Sequence, residues 1–160
     1  MSINKNYAVF GLGRYGRAVA KELVDNGAEV IAVDRDSKTV EEFSGDFPIC
    51  KCADVTEQEA IKRLGISNID VVVIAITDSF ETSVMATMLC KEAGVKQVIV
   101  KCSDELHRTI LEKVGADMVV LGIDPGYAIV GWGVISHSGS AYRAHGCGAI
   151  TTDADTPFEE

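Results

Sequence analysis

The stretch from Tyr7 to Asp34 constrains this chain more than any other. It begins with a short apolar strand pattern, Tyr7-Ala-Val-Phe10, and runs directly into Gly11-Leu-Gly-Arg-Tyr-Gly16. A helical pattern follows, and then Glu29-Val-Ile-Ala-Val-Asp34, a second strand that ends in an acid. Each part suits the holding of an adenine nucleotide. Gly11 lets the chain turn sharply, Gly13 leaves the backbone open to phosphate, and Gly16 lets helix and strand pack closely. The helix start offers unpaired N–H groups and a partial positive charge to a phosphate. Asp34 stands where a carboxylate accepts hydrogen bonds from ribose hydroxyls, and the same charge repels a 2′-phosphate, so NADP is expected to bind poorly. Three spaced glycines alone are a weak signal. Following a strand, opening a helix and trailed by an acid about 20 residues on, they are a specific one.

Strand and helix patterns alternate up to about residue 120. The first strand is Tyr7–Phe10, and the first helix runs from Arg14 to Asn26, burying Val19 and Leu23 and stopping at Gly27. Val30–Asp34 is the second strand, a short helix carries Val40 and Phe43, and Ile49–Cys52 is the third strand. Thr56 with Glu59 reads as a capping box opening a helix through Leu64, ended by Gly65. Val71–Ile76 is apolar throughout, as a strand covered on both faces should be. Asp78 or Ser79 caps a long helix that reaches Ala93 and ends at Gly94. Val98–Lys101 is a strand, Ser103 caps a helix through Val114 that ends at Gly115, and a sixth strand begins near Met118. The alternation predicts an α/β fold, a Rossmann-like doubly wound parallel sheet with right-handed crossovers and strand order 3-2-1-4-5-6. The crevice outside the first and fourth strands would then gather Gly11–Gly16, Asp34, Asp54 and Ala75–Asp78.

Composition narrows the function classes. A chain of 160 residues, 47% hydrophobic but only 6% aromatic, is long enough for a mostly aliphatic core. Its net charge of -9 and the lack of a basic cluster make nucleic acid an unlikely partner. The apolar run Val71–Ile76 is far too short for a membrane span. The start Met1-Ser-Ile-Asn-Lys-Asn lacks the apolar stretch of a signal peptide, so a cytoplasmic protein is expected. Five cysteines, Cys50, Cys52, Cys90, Cys102 and Cys147, are an odd number for a disulfide framework and read as small buried hydrophobes. His107, His137 and His145 have no metal-ligand spacing and read as solvent-exposed. Arg14, in the first helical turn, opposes the helix dipole unless a bound phosphate compensates.

After residue 120 the texture changes. Leu121-Gly-Ile-Asp-Pro-Gly126 reads as a strand running into a Pro-Gly turn, and Ala128–Ser136 and Tyr142–Cys147 as further strands of a glycine-rich antiparallel meander, with a turn at His137–Ser140 and a polar tail Thr151–Glu160. Trp132 reads as a core residue.

Residues 5–120 resemble the nucleotide-binding domain of bacterial potassium-transport regulators, the RCK or KTN domain of TrkA/KtrA-type proteins. The matching stretches are Ala8-Val-Phe-Gly-Leu-Gly-Arg-Tyr-Gly16, Glu29–Asp34, Ala53-Asp54 before Thr56, Ala75-Ile76 and Leu111-Glu-Lys-Val-Gly-Ala-Asp117. The resemblance implies a regulatory, non-catalytic subunit that binds ATP, ADP or NAD(H). It further implies a homodimer or octameric ring docked on a membrane potassium translocation subunit of the Trk/Ktr type, at the inner face of the cell membrane. The site residues implied are Gly11, Gly13, Arg14, Tyr15, Gly16, Asp34, Arg35, Ala53, Asp54, Ala75, Ile76, Thr77 and Asp78. Gly11, Gly13 and Gly16 would line the diphosphate, Arg14 would reach distal phosphates, Asp34 the ribose, and Ala53 with Asp54 the base.

Residues 119–160 resemble the start of a RuvC-type Holliday-junction resolvase, through Leu121-Gly-Ile-Asp-Pro-Gly-Tyr-Ala-Ile-Val-Gly-Trp-Gly-Val134 and Ala154-Asp-Thr-Pro157. That resemblance implies the opening hairpin of an RNase H-like fold, with Asp124 as one of several magnesium-binding carboxylates. Two-metal hydrolysis needs several oxygen ligands around cations about 4 Å apart, and one aspartate does not supply them. The expected organisation is a nucleotide-binding domain over 1–118 and a truncated RuvC-like segment over 119–160, inactive as a nuclease. A nicotinamide-dependent oxidoreductase is the remaining reading. It fails for want of a substrate domain with an acid–base group beside the cofactor.

Overall fold

The computed structural model describes residues 5–121, 129–138 and 141–151. In chain order the elements are β1 (Asn6–Phe10), α1 (Arg14–Asp25), β2 (Glu29–Asp34), α2 (Ser37–Phe43), β3 (Ile49–Cys52), α3 (Gln58–Arg63), a 3-10 turn (Ile66–Asn68), β4 (Val71–Ile74), α4 (Phe80–Glu92), β5 (Gln97–Cys102), α5 (Glu105–Lys113) and β6 (Met118–Leu121). They are followed by β7 (Ile129–Ser138) and β8 (Ala141–Thr151).

The first six strands form one sheet in the order β3-β2-β1-β4-β5-β6, and every pairing is parallel. This is the predicted doubly wound Rossmann-like arrangement. Side chains alternate across each strand, and both sides are covered. Ala8 and Phe10 of β1, with Val72 and Ile74 of β4, pack into one core with Ile61, Ala86, Cys90 and Leu111 from α3, α4 and α5. Val9, with Val71 and Val73, faces the opposite core, built on Ala20, Val19 and Leu23 of α1 and Phe43 of α2. All four residues of β4 are buried, which is why that strand reads as an unbroken apolar run.

Several local expectations are corrected. β4 ends at Ile74, and Ala75 and Ile76 already belong to the loop above the sheet. The predicted capping box does not form. Thr56 Oγ1 donates to Asp54 Oδ1 at 2.7 Å, and Glu57 occupies the cap position of α3 without a side-chain bond. Asp104, not Ser103, caps α5, accepting from the His107 N–H at 2.8 Å. Ser79 caps α4, accepting from the Thr82 N–H. Cysteines 90 and 102 are buried as expected, and burial pushes the Cys90 thiol up to about 12. Cys52 is exposed and Cys50 only half-buried, because β3 lies at the edge of the sheet.

β7 and β8 pair antiparallel, from Ile129 opposite Thr151 to Ser138 opposite Ala141. His137 and Ser138, expected in a turn, belong to β7, and the strand expected at Tyr142–Cys147 runs from Ala141 to Thr151. Val119–Leu121, assigned from sequence to the second segment, pair with β5 in the main sheet. Asp124 and most of the strand expected over 121–126 lie outside the described residues.

Candidate nucleotide-binding site

At the carboxyl ends of β1, β2 and β4 the ladder opens. The Gly11 N–H still bonds the Val33 carbonyl at 2.8 Å, and the Ala75 N–H bonds the Phe10 carbonyl at 2.7 Å. Beyond these bonds the chains diverge, β1 turning into α1 and β4 into the loop before α4. The result is a cleft of about 280 Å³ lined by Gly11, Gly13, Asp34, Arg35, Ala53, Asp54 and Ala75–Asp78. Ten of the residues implied by the family resemblance therefore meet in one place.

The glycine loop is held by sterics and by one acid. Gly11 has φ +91, a backbone conformation that favours glycine, and a Cβ there would stand 3.1 Å from Ile76 Cγ1. A Cβ on Gly16 would overlap the Gly11 carbonyl oxygen. Asp34 Oδ2 accepts from the Leu12 N–H at 2.7 Å and Oδ1 from the Asp36 N–H at 2.9 Å. The acid at the end of β2 thus ties the glycine loop to the next loop before any ligand arrives. Its oxygens keep further lone pairs for ribose hydroxyls.

Gly13 differs. Its φ of -64 suits any residue, and a Cβ there would meet no protein atom within 4 Å. It stands at the cap position of α1, which has no side-chain cap and no acid in its first turn. α2, α4 and α5 by contrast are capped by Asp36, Ser79 and Asp104. The first N–H groups of α1 have no acceptor within the helix, and the bare Gly13 leaves them approachable.

Arg14, Tyr15 and Gly16 do not line the cleft. Gly16 is buried beneath it. Arg14 is exposed on the outer side of α1, beside a groove of about 480 Å³ shared with Arg17, Lys21 and Phe43. Tyr15 turns toward β5, where Lys101 Nζ lies 5.1 Å from its ring centre, and burial raises its phenol above the ordinary value. Sequence reasoning also missed lining residues: Leu12, Val33, Thr39, Val55 and Thr82. Thr39 and Thr82 come from the first turns of α2 and α4, and polar residues just after a strand end were the available signal.

At the rim, Arg35 Nη2 donates to Asp78 Oδ2 at 3.0 Å across the mouth. Hydrogen bonds from the Thr56 hydroxyl and N–H hold the Asp54 carboxyl below its ordinary value, with a smaller contribution from Arg35. Another groove, of about 360 Å³, runs along β3 and α3. Neither groove is lined by Gly11, Gly13 or Asp34. Among the described residues no group of three or more His, Cys, Asp or Glu side chains is placed to hold a metal.

The geometry has a counterpart in known proteins: a family model described as the TrkA-N domain matches residues 7–122. The chain belongs to the TrkA-N family. Residues of this TrkA-N chain are 42% identical over 118 positions to the Ktr system potassium uptake protein A of Vibrio alginolyticus, across 74% of this chain and 54% of that protein. They are 36% identical over 118 positions to Ktr protein C of Bacillus subtilis strain 168, across 74% and 53%. The chain thus spans about half the length of the curated relatives it matches. The TrkA-N fold superposes on the TrkA-N domain of the Escherichia coli inner membrane protein ybaL with a TM-score of 0.69, at 13% identity over 76% of this chain and 90% of that one. It also superposes on GsuK bound to ADP (TM-score 0.65, 12% identity, 76% and 32% covered) and on the GsuK channel bound to NAD (0.64, 10%, 81% and 27%). A stretch of 37 residues is 54% identical to the crossover junction endodeoxyribonuclease RuvC of Clostridioides difficile, covering 23% of this chain and 22% of that protein.

Proposed function

We propose that this TrkA-N chain binds an adenine nucleotide, ATP, ADP or NAD(H), in the cleft over β1, β2 and β4. In this reading it serves as the nucleotide-sensing part of a Ktr/Trk-type regulatory subunit. The observation that carries the reading is Gly13: the fold gives no reason for a glycine there, and the vacant space lies over the uncapped start of α1. A phosphate fills that space and satisfies those N–H groups. Asp34, already oriented by Leu12, receives the ribose. Gly11 and Gly16 shape the loop from within, and Arg14, outside the cleft, reaches only phosphates that extend beyond the diphosphate.

Regulation then follows from differential binding. Ligands that favour different arrangements of the assembly shift its equilibrium, and a membrane potassium translocation subunit reads the change. A coupling of about 1–3 kcal/mol changes an affinity roughly 5- to 150-fold. The relatives named as potassium uptake proteins, and GsuK solved with ADP and with NAD, support this partner and these ligands. The proposed role puts the chain at the inner face of the membrane; among the described residues no helix is long and apolar enough to cross one. In this reading the chain self-associates as a homodimer or octameric ring, with Met85 and Met88 on α4 and Leu106 on α5, 42%, 40% and 68% exposed, among the apolar side chains available for the contact. In this reading the nucleotide domain expected over 1–118 extends through β6 to Leu121, and a RuvC-like segment follows it.

The test is calorimetric titration of the chain with ATP, ADP and NADH, followed by potassium flux through vesicles holding a Ktr-type membrane subunit. Saturable binding at one site, and a flux that differs between nucleotides, is the expected result. No heat with any of the three overturns the site. Binding without an effect on flux overturns the regulatory role. The match to RuvC favours one second reading, a junction nuclease fragment that uses magnesium at Asp124. Magnesium-dependent cleavage of a four-way DNA junction by the purified chain would establish it.

A further inference from the structure

Arg35 and Asp78 face each other across the mouth of the cleft. Arg35 follows Asp34 at the end of β2, and Asp78 sits in the loop between β4 and α4. Their ion pair is 3.0 Å long, with side chains 64% and 66% exposed. Among the described residues lining the cleft, Arg35 is the one cation, and Asp34, Asp54 and Asp78 are the anions. In sites of this architecture an arginine near the acid that ends the second strand can receive a ribose 2′-phosphate. Here that guanidinium is drawn to the opposite rim.

We propose that Asp78 determines ligand specificity by holding Arg35 away from the ribose, so that the cleft selects adenosine ligands with a free 2′-hydroxyl. The inference rests on the nucleotide-binding reading above and goes one step further. Asp34 alone disfavours a 2′-phosphate by repulsion. Asp78 acts through Arg35, as a positioning residue: it engages that guanidinium and adds its own negative charge at the rim. Arginine is suited to phosphate because its planar fork donates two parallel hydrogen bonds. One of those donors is already spent on Asp78 Oδ2. Because exposed pairs are individually weak, Asp78 biases selection rather than enforcing it, and the effect is a modest fold-change.

The experiment compares 5′-ADP with adenosine 2′,5′-bisphosphate by calorimetry on the full chain. The variants are Asp78→Asn, Arg35→Gln and the two combined, each checked for an unchanged melting curve. The readout is the ratio of the two dissociation constants. In Asp78→Asn the preference for 5′-ADP is expected to fall about three- to fivefold, fivefold being about 1 kcal/mol. In the Arg35→Gln background the same Asp78 substitution is expected to leave the ratio within about twofold, since additivity fails where two residues act through one contact. An unchanged ratio in Asp78→Asn overturns the proposal. So does an equal fall with and without Arg35, which would assign the effect to charge alone. Failure of 5′-ADP to bind the unsubstituted chain overturns the nucleotide reading and this inference together. Binding of 5′-ADP with an unchanged ratio overturns only this inference.

Discussion

At Gly16 an added Cβ would overlap the Gly11 carbonyl and lie 3.1 Å from Ala75 Cβ, whereas at Gly13 it would meet nothing within 4 Å. The two glycines therefore separate folding from binding. Gly16→Ala is expected to destabilise the chain by about 1–3 kcal/mol or more, the ordinary range for overpacking, measured by urea unfolding. Gly13→Val is expected to keep the melting temperature of the parent while losing all calorimetric heat with ADP, ATP and NADH. Normal ADP affinity in Gly13→Val would mean the cleft is misplaced. Asp34→Ala removes the acceptor of the Leu12 N–H as well as the proposed acceptor for the ribose hydroxyls. Hydrogen bonds to charged groups are worth about 1.5–3 kcal/mol, and ADP and NADH affinities should weaken together by that amount. At this scale the sequence located the loop, the acid and the rim residues, because spacing fixes where backbone goes. It did not reveal that Arg14 and Tyr15 turn away from the cleft. The direction of a side chain on a first helical turn depends on what packs beside it, and here α1 lies between the Phe43 side and β5.

The helices start where strands let go, and their caps set the loops that form the cleft. Ser79 Oγ accepts from the Thr82 N–H at 3.2 Å, and Thr82 lines the cleft. Ser79→Ala is expected to cost about 1 kcal/mol of stability, read from a shifted urea midpoint with unchanged slope, and to weaken nucleotide binding slightly. The strands were legible from the sequence because a two-faced parallel sheet demands apolar residues at every position, as in β4. The helix starts at Thr56 and Ser103 were misread. Each lies within two residues of an aspartate, and the local pattern does not say which oxygen will meet the free N–H. Asp104 does so for α5, while Asp54 takes the Thr56 hydroxyl. The 3-10 turn Ile66–Asn68 has no apolar period of its own, and only the burial of Ile66 shows why it forms.

Across the molecule, the same small acids act as pH sensors of stability. Hydrogen bonds hold several carboxyls below their ordinary values: Asp36 through the Lys38 N–H, Asp54 through Thr56, Asp70 through Lys96 and Asp104 through the His107 N–H. A carboxyl whose folded value is lowered stabilises the fold above its unfolded value, and that contribution is lost as pH falls through the folded one. With unfolded aspartate near 3.9, the melting temperature should stay level from neutral pH down to about 5. It should fall steadily below about 4; a melting temperature unchanged down to pH 3 would contradict this assignment. The proposed self-association is also tested at this scale. Replacing Met85 and Met88 together by Glu should lower the sedimentation mass while leaving ADP affinity intact. The sequence marked α4 only as a long helix, since its apolar residues are scattered round the axis instead of forming one stripe. Those uncovered methionines carry a consequence inside a cell. A copy synthesised in excess of its companions would offer Met85, Met88 and Leu106 to chaperones and proteases. Were the proposed assembly to form, orphan copies would be cleared, and its stoichiometry would set how much of the protein persists.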